Sequence, residues 1–177
     1  ELVEKRLVTD QLVLTVGYDI ENLTRPEIRK VYKGPMTTDR YGRRVPKHAH
    51  GTWNLPRATS SSSELLEAMA ALYDKIVNPA LLIRRMSLSA CHVVNEKMAK
   101  EREQKETFEQ LDLFTDYAKK EAKEKEEQKK RERERRMQEA LLTIKKKYGK
   151  NAVLRGMNFE EGATAKERNG QIGGHQA

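Results

Sequence analysis

Gln11-Leu12-Val13-Leu14-Thr15-Val16-Gly17-Tyr18 is the stretch that decides the fold. Leu12, Leu14, Val16 and Tyr18 alternate with Gln11, Val13, Thr15 and Gly17. A period of two sends the first set to one side of an extended chain and the second set to the other. The stretch therefore reads as a half-buried strand. Before it, Glu1 to Val8 reads as the last turns of a helix, with Leu2, Val3 and Leu7 as its apolar remnants and Thr9-Asp10 as its break. Arg6 stands where a helix end favours glycine.

After the strand, residues 19–50 form a basic segment punctuated by Pro26, Gly34, Pro35, Gly42 and Pro46. Eight Lys/Arg (Arg25, Arg29, Lys30, Lys33, Arg40, Arg43, Arg44, Lys47) face four acids (Asp19, Glu21, Glu27, Asp39). It reads as a long loop, either an inert surface insertion or an electrostatic arm that follows a phosphate backbone. Gly51 to Ser60 is a second strand, with Trp53 and Leu55 on one face and Thr52 and Asn54 on the other; Pro56 belongs at an edge, an end or a bulge. Ser61 with Glu64 has the spacing of a capping box and opens a helix. Leu65, Leu66, Met69, Tyr73, Ile76 and Val77 give that helix its apolar face, and Asn78-Pro79 ends it. Leu82 to Val94 is a third strand, with Met86, Leu88 and Ala90 on one side and Arg85, Ser87, Ser89 and Cys91 on the other. The order implies an α+β fold, a small antiparallel sheet covered by helices on one face and polar on the other. A preceding strand and most of a first helix would complete it; the chain starts at Glu1 without an initiating Met and is expected to be an excised fragment.

Composition changes after Asn95. Of 177 residues, 37% are hydrophobic and 35% charged, so the chain cannot be core throughout. Four segments are expected: a domain over 1–95, a linker over 96–116 that is helical in part, a charged helix over 117–149 and a flexible tail over 150–177. From Tyr117 to Arg136 ten Lys/Arg alternate with six Glu, and Glu121→Lys125, Glu126→Lys130, Glu127→Arg131 and Glu132→Arg136 have the favourable i,i+4 order. Such a run is ordinarily a solvated helix face. Met137, Leu141, Ile144 and Tyr148 add a narrow apolar stripe, Lys145-Lys146-Lys147 suit the C-terminal dipole, and Gly149 supplies the stop. The net charge of +8 favours an anionic partner, nucleic acid before membrane. No run approaches the ~18 apolar residues of a membrane span, and one cysteine, Cys91, fits a reducing cytoplasm.

Chemistry is sparse. The four histidines and Cys91 lack zinc-ligand spacing, and His48 and His50 read as solvent- or phosphate-facing. Cys91 and His92 are neighbours on a strand and point apart, which opposes a nucleophile–base pair. There is no phosphate-binding glycine loop and no nucleophile elbow. The chain alone is not expected to catalyse a reaction.

Four stretches, Thr9 to Asp19, Thr38-Asp39-Arg40-Tyr41-Gly42, Lys47 to Thr52 and Leu82-Ile83-Arg84-Arg85-Met86, closely resemble the C-terminal little-finger region of bacterial Y-family DNA polymerases of the polymerase IV and V type. Lys145 to Gly156 and Asn169 to His175 are similar to the end of that family's repair-protein branch. The resemblance implies a sheet backed by two helices whose strands lie along the DNA major groove. It also implies translesion synthesis in SOS-type DNA repair, in the cytoplasm and on the nucleoid. Thr52, Asn54, Arg57, Arg84, Arg85 and Ser87, with Arg43, Arg44 and Lys47 of the basic segment, are the candidate DNA contacts. Contacts to phosphate position a protein without reading sequence, as a polymerase accepting any template needs. The family's palm, with its paired carboxylates and Mg²⁺, has no counterpart here, so no cofactor is expected in this chain.

Gln110-Leu111-Asp112-Leu113-Phe114 is similar to the bacterial sliding-clamp pentapeptide. The likeness implies Gln110 as polar anchor, with Leu111 beside it and Leu113 and Phe114 as hydrophobic plugs. Burying the last two contributes ~1.5–3 kcal/mol each, enough after ordering costs for an affinity of about 1 μM. Phe108, Leu111, Phe114 and Ala118 also have helical spacing, so a helix packed on its own domain is the alternative. The rival to the polymerase reading is a non-catalytic basic adaptor that binds nucleic acid or a partner helix.

Overall fold

The computed structural model describes residues 1–106, 117–172 and 175–176. The chain forms two units, one over residues 4–109 and one over 110–177. In the first, helix α1 (Leu2–Lys5) leads into strand β1 (Leu7–Tyr18). Helices α2 (Glu21–Thr24) and α3 (Pro26–Val31) follow, then strands β2 (Met36–Thr38), β3 (Arg44–Pro46) and β4 (Ala49–Thr59). Helix α4 (Ser62–Ile76), strands β5 (Ile83–Cys91) and β6 (Val94–Asn95) and helix α5 (Glu96–Glu106) complete it. The expected α+β class and small antiparallel sheet are present.

Strand β1 is central, with β4 antiparallel on one side and β5, continued by β6, antiparallel on the other. The alternation along β1 appears as burial: Leu12, Leu14, Val16 and Tyr18 are all in the core. Leu14, Val16 and Tyr18 join Leu72 and Leu81 in one cluster, edged by Trp53, Ile76, Val77, Ile28 and Tyr32. Helix α4 packs over β4 and β1. Ser61 caps it by accepting the Glu64 N–H at 3.2 Å, the forward half of the expected capping box. The Ser61 N–H goes to Thr59 Oγ1 at 3.0 Å, and the Glu64 carboxylate pairs with Arg57. The helix's buried face centres on Ala68 and Leu72, which the apolar spacing passed over, whereas Leu66 is exposed.

Several boundaries differ from expectation. The N-terminal helix stops at Lys5, because Arg6 takes the left-handed conformation (φ 53°) usual for glycine at such a position. Leu7 and Val8 then enter the sheet by pairing with Asn95 and Val94. Thr9-Asp10 is thus an irregularity inside the strand, where the β4 register shifts. The buried Thr9 hydroxyl sits within reach of the carbonyls of Gln11 (3.0 Å) and Cys91. The third strand ends at Cys91 because His92 turns to φ 52°, its ring 2.9 Å from Asp10 Oδ1, and pairing resumes at Val94.

The basic segment is more ordered than a loop. It holds two short helices and the β2–β3 hairpin, and Asn22, which is 1% exposed, ties the first of those helices to the start of β5. The Asn22 Nδ2 group donates to the carbonyls of Asp19 (2.8 Å) and Leu82 (2.9 Å), and Oδ1 accepts the Leu82 N–H at 2.7 Å. Residues 96–106, expected as linker, form α5, which packs on β1 and β6 and buries Ala99.

In the second unit α6 (Tyr117–Tyr148) runs for 32 residues, about 48 Å at 1.5 Å per residue. Gly149 ends it at φ 94°, with its N–H on the Lys145 carbonyl. Beyond it the expected flexible tail carries short elements: a 3-10 turn (Gly156–Phe159), α7 (Ala165–Arg168) and the pair β7 (Gln171–Ile172) with β8 (His175–Gln176). Asn151 links them, donating to the Lys166 carbonyl at 3.1 Å and accepting from Asn169 at 2.7 Å. Among the described residues no helix is long and apolar enough to cross a membrane.

Candidate nucleic-acid interface

Side chains paired across an antiparallel sheet share a face. Opposite the α4 side, this places Asn54, Gln11 and Cys91 in one row and Thr52, Val13 and Ser89 in the next. His50, Thr15 and Ser87 make a third row, and Gly17 with Arg85 continues it along β5. The outer rows are tied across strands: Gln11 Nε2 donates to Asn54 Oδ1 at 2.8 Å, and Thr15 Oγ1 lies 2.9 Å from His50 Nδ1. The result is a surface of amides, hydroxyls and one imidazole around Val13 and Cys91, able to offer hydrogen bonds to phosphate oxygens at strand spacing.

The structure brings Thr52, Asn54, Arg85 and Ser87 together on this face, all exposed. Arg84 is also exposed but falls where the β1–β5 register shifts, between the pairs Gly17–Arg85 and Tyr18–Ile83. Arg57 is half-buried, and its guanidinium donates to Glu64 at the start of α4. That engagement gives Arg57 a structural role beside any contact with DNA. Gln11, Thr15, His50 and Ser89 belong to the same surface. The alternation of β1 and of the third strand marked Gln11, Thr15 and Ser89; His50 needed the register to be placed on this face.

Arg43, Arg44 and Lys47 sit apart, on a hairpin that shares no hydrogen-bonded pairing with the central sheet. Its turn is built by Asp39, whose Oδ1 accepts the N–H groups of Tyr41 (2.8 Å) and Arg43 (3.0 Å). Asp39 Oδ2 accepts the Arg43 Nε–H at 2.9 Å and lies 2.7 Å from Arg43 Nη2 in the same ion pair. The Arg43 guanidinium, more than any other group, holds the Asp39 carboxyl below the usual aspartate range. On the buried side of the segment, desolvation and the neighbouring Tyr18 raise the pKa of Tyr32, whose hydroxyl donates to the Pro35 carbonyl at 2.9 Å.

The face that carries the core is less closed than its sequence implies. Met86 and Leu88 pair with Val16 and Leu14 on the α4 side of the sheet, yet are 54% and 47% exposed. Among the described residues no group of three or more His, Cys, Asp or Glu could hold a metal ion. The clamp-like residues Gln110, Leu111, Leu113 and Phe114 lie outside the described residues. No family model, curated protein or solved structure matches the chain.

Proposed function

We propose that this chain is the DNA-gripping and clamp-tethering C-terminal part of a Y-family DNA polymerase that acts in translesion synthesis. The observation that carries the reading is the open face of the β4–β1–β5 sheet. Its three cross-strand rows, polar apart from Val13 at the centre, are flanked by Arg84 and Arg85. Such a surface can donate to a backbone of repeating phosphates, the contacts that position a protein on DNA of any sequence. The polymerase assignment itself rests on the little-finger resemblance of residues 9–19, 38–42, 47–52 and 82–86, and catalysis would reside in a palm outside this chain.

A titration of the chain with primer–template duplex over a range of salt tests the grip. Binding should be sequence-blind, and the Arg84→Ala/Arg85→Ala double variant should flatten the slope of log K against log salt by about 0.9 per arginine removed. An unchanged slope, or a marked preference for one sequence, rejects the sheet face as the grip.

The adaptor reading has its own support in α6. Met137, Ile144 and Tyr148 of its apolar stripe are exposed, as a helix awaiting a partner helix would leave them. Substituting Met137 and Ile144 with Gln should leave duplex binding intact under the polymerase reading.

A further inference from the structure

We infer that the β2–β3 hairpin is a stacking finger for single-stranded DNA, with Tyr41 as the platform for one unpaired base. The inference rests on the DNA-binding reading above and goes beyond it, since it assigns a second substrate and a residue outside the sheet surface. Tyr41 is 69% exposed at the tip of a turn that is otherwise closely tied. The Asp39 carboxylate holds the N–H groups on either side of the tip, the Gly42 N–H returns to the Asp39 carbonyl at 3.0 Å, and Gly42 takes φ 77°. A side chain at position 42 would meet no atom within 4 Å, so glycine serves the backbone there and not the packing. An aromatic ring is thus presented to solvent by a turn that has little freedom to fold it away.

The charge around the ring selects the partner. The guanidinium carbons of Arg43 and Arg40 lie 5.1 and 5.4 Å from the Tyr41 ring centroid, within cation–π range. Arg43 is committed to Asp39, whereas Lys33, Arg40, Arg44 and Lys47 make no ion pair among the described residues. An exposed aromatic flanked by two arginines, on a hairpin with further cations along its strands, is a combination that can track a single strand, the cations on phosphates and the ring on a base. Duplex DNA keeps its base faces stacked and offers the ring nothing comparable. An acidic peptide would use the cations but leave the ring without a matching surface.

The test titrates the intact chain with a labelled deoxythymidine oligomer and, in parallel, with blunt duplex. Tyr41→Ala should weaken the oligomer by about 5- to 150-fold, the ~1–3 kcal/mol of one base stack, and leave the duplex affinity unchanged. Tyr41→Trp should restore the oligomer affinity. Equal oligomer affinity in wild type and Tyr41→Ala overturns the finger while leaving duplex binding as evidence for the sheet face. An equal loss on both substrates reduces the hairpin to a general electrostatic patch and likewise overturns it. A wild-type chain that binds neither DNA overturns the finger together with the function it rests on.

Discussion

Asp39 accepts two backbone N–H groups and the Arg43 Nε–H, with Arg43 Nη2 2.7 Å away, and these interactions are strongest while it is ionised. Its folded pKa is lowered, so the unfolded chain binds the proton more readily. The stabilisation is therefore complete above the unfolded value of about 3.9 and is lost as pH falls through the lower folded value. Amide shifts of Tyr41 and Arg43, followed by NMR, should show an inflection below the ordinary aspartate range, and Asp39→Asn should remove it. An inflection at the ordinary value would mean that the carboxylate is not engaged. A carboxylate four residues before its arginine is a local pattern and could be read in sequence. Asn22 and Thr9 could not, since their partners Leu82 and Cys91 lie 60 and 82 residues away. Nothing near a buried asparagine in the chain announces which distant carbonyl it will meet.

At the level of elements, alternation made β1 and the outer face of β4 legible, because Leu12, Leu14 and Val16 have no second way to be buried together. The helix face was legible only in part: the apolar spacing ran through Leu65, Met69, Tyr73 and Ile76, whereas the burial centres one position earlier, on Ala68 and Leu72. The basic segment was read as a loop because three- to six-residue elements leave no periodicity to detect. Gly51 looked like a strand boundary, yet it lies inside β4 opposite Leu14. A Cβ there would come within 2.9 Å of both Ile76 Cγ2 and Leu72 Cδ1, so the glycine sets how closely α4 approaches. Gly51→Ala should accordingly cost about 1–3 kcal/mol through overpacking, seen as a lowered denaturant midpoint with unchanged m-value. A variant as stable as the wild type would show that α4 can move outward freely, and would weaken the account of the core given above.

For the whole chain, two kinds of binding are assigned to separate stretches, and that separation can be measured. The sheet face and the hairpin both lie in residues 4–109, and the clamp-like pentapeptide begins at residue 110, where the second unit starts. Duplex affinity should come mainly from cations and hydroxyls and fall with salt. Clamp affinity should come from burying Leu113 and Phe114 and vary far less with salt, since removing apolar area from water is a non-ionic term. Leu113→Ala/Phe114→Ala in the full chain should therefore abolish capture by an immobilised bacterial clamp and leave the duplex titration untouched. With two plugs each contributing ~1.5–3 kcal/mol, the double change removes ~3–6 kcal/mol from an interaction near −8 kcal/mol, a loss of about 150-fold or more. Should capture survive the substitution, the helical spacing of Phe108, Leu111, Phe114 and Ala118 becomes the better account of those residues, and the tether would have to be given up while the sheet surface kept its role.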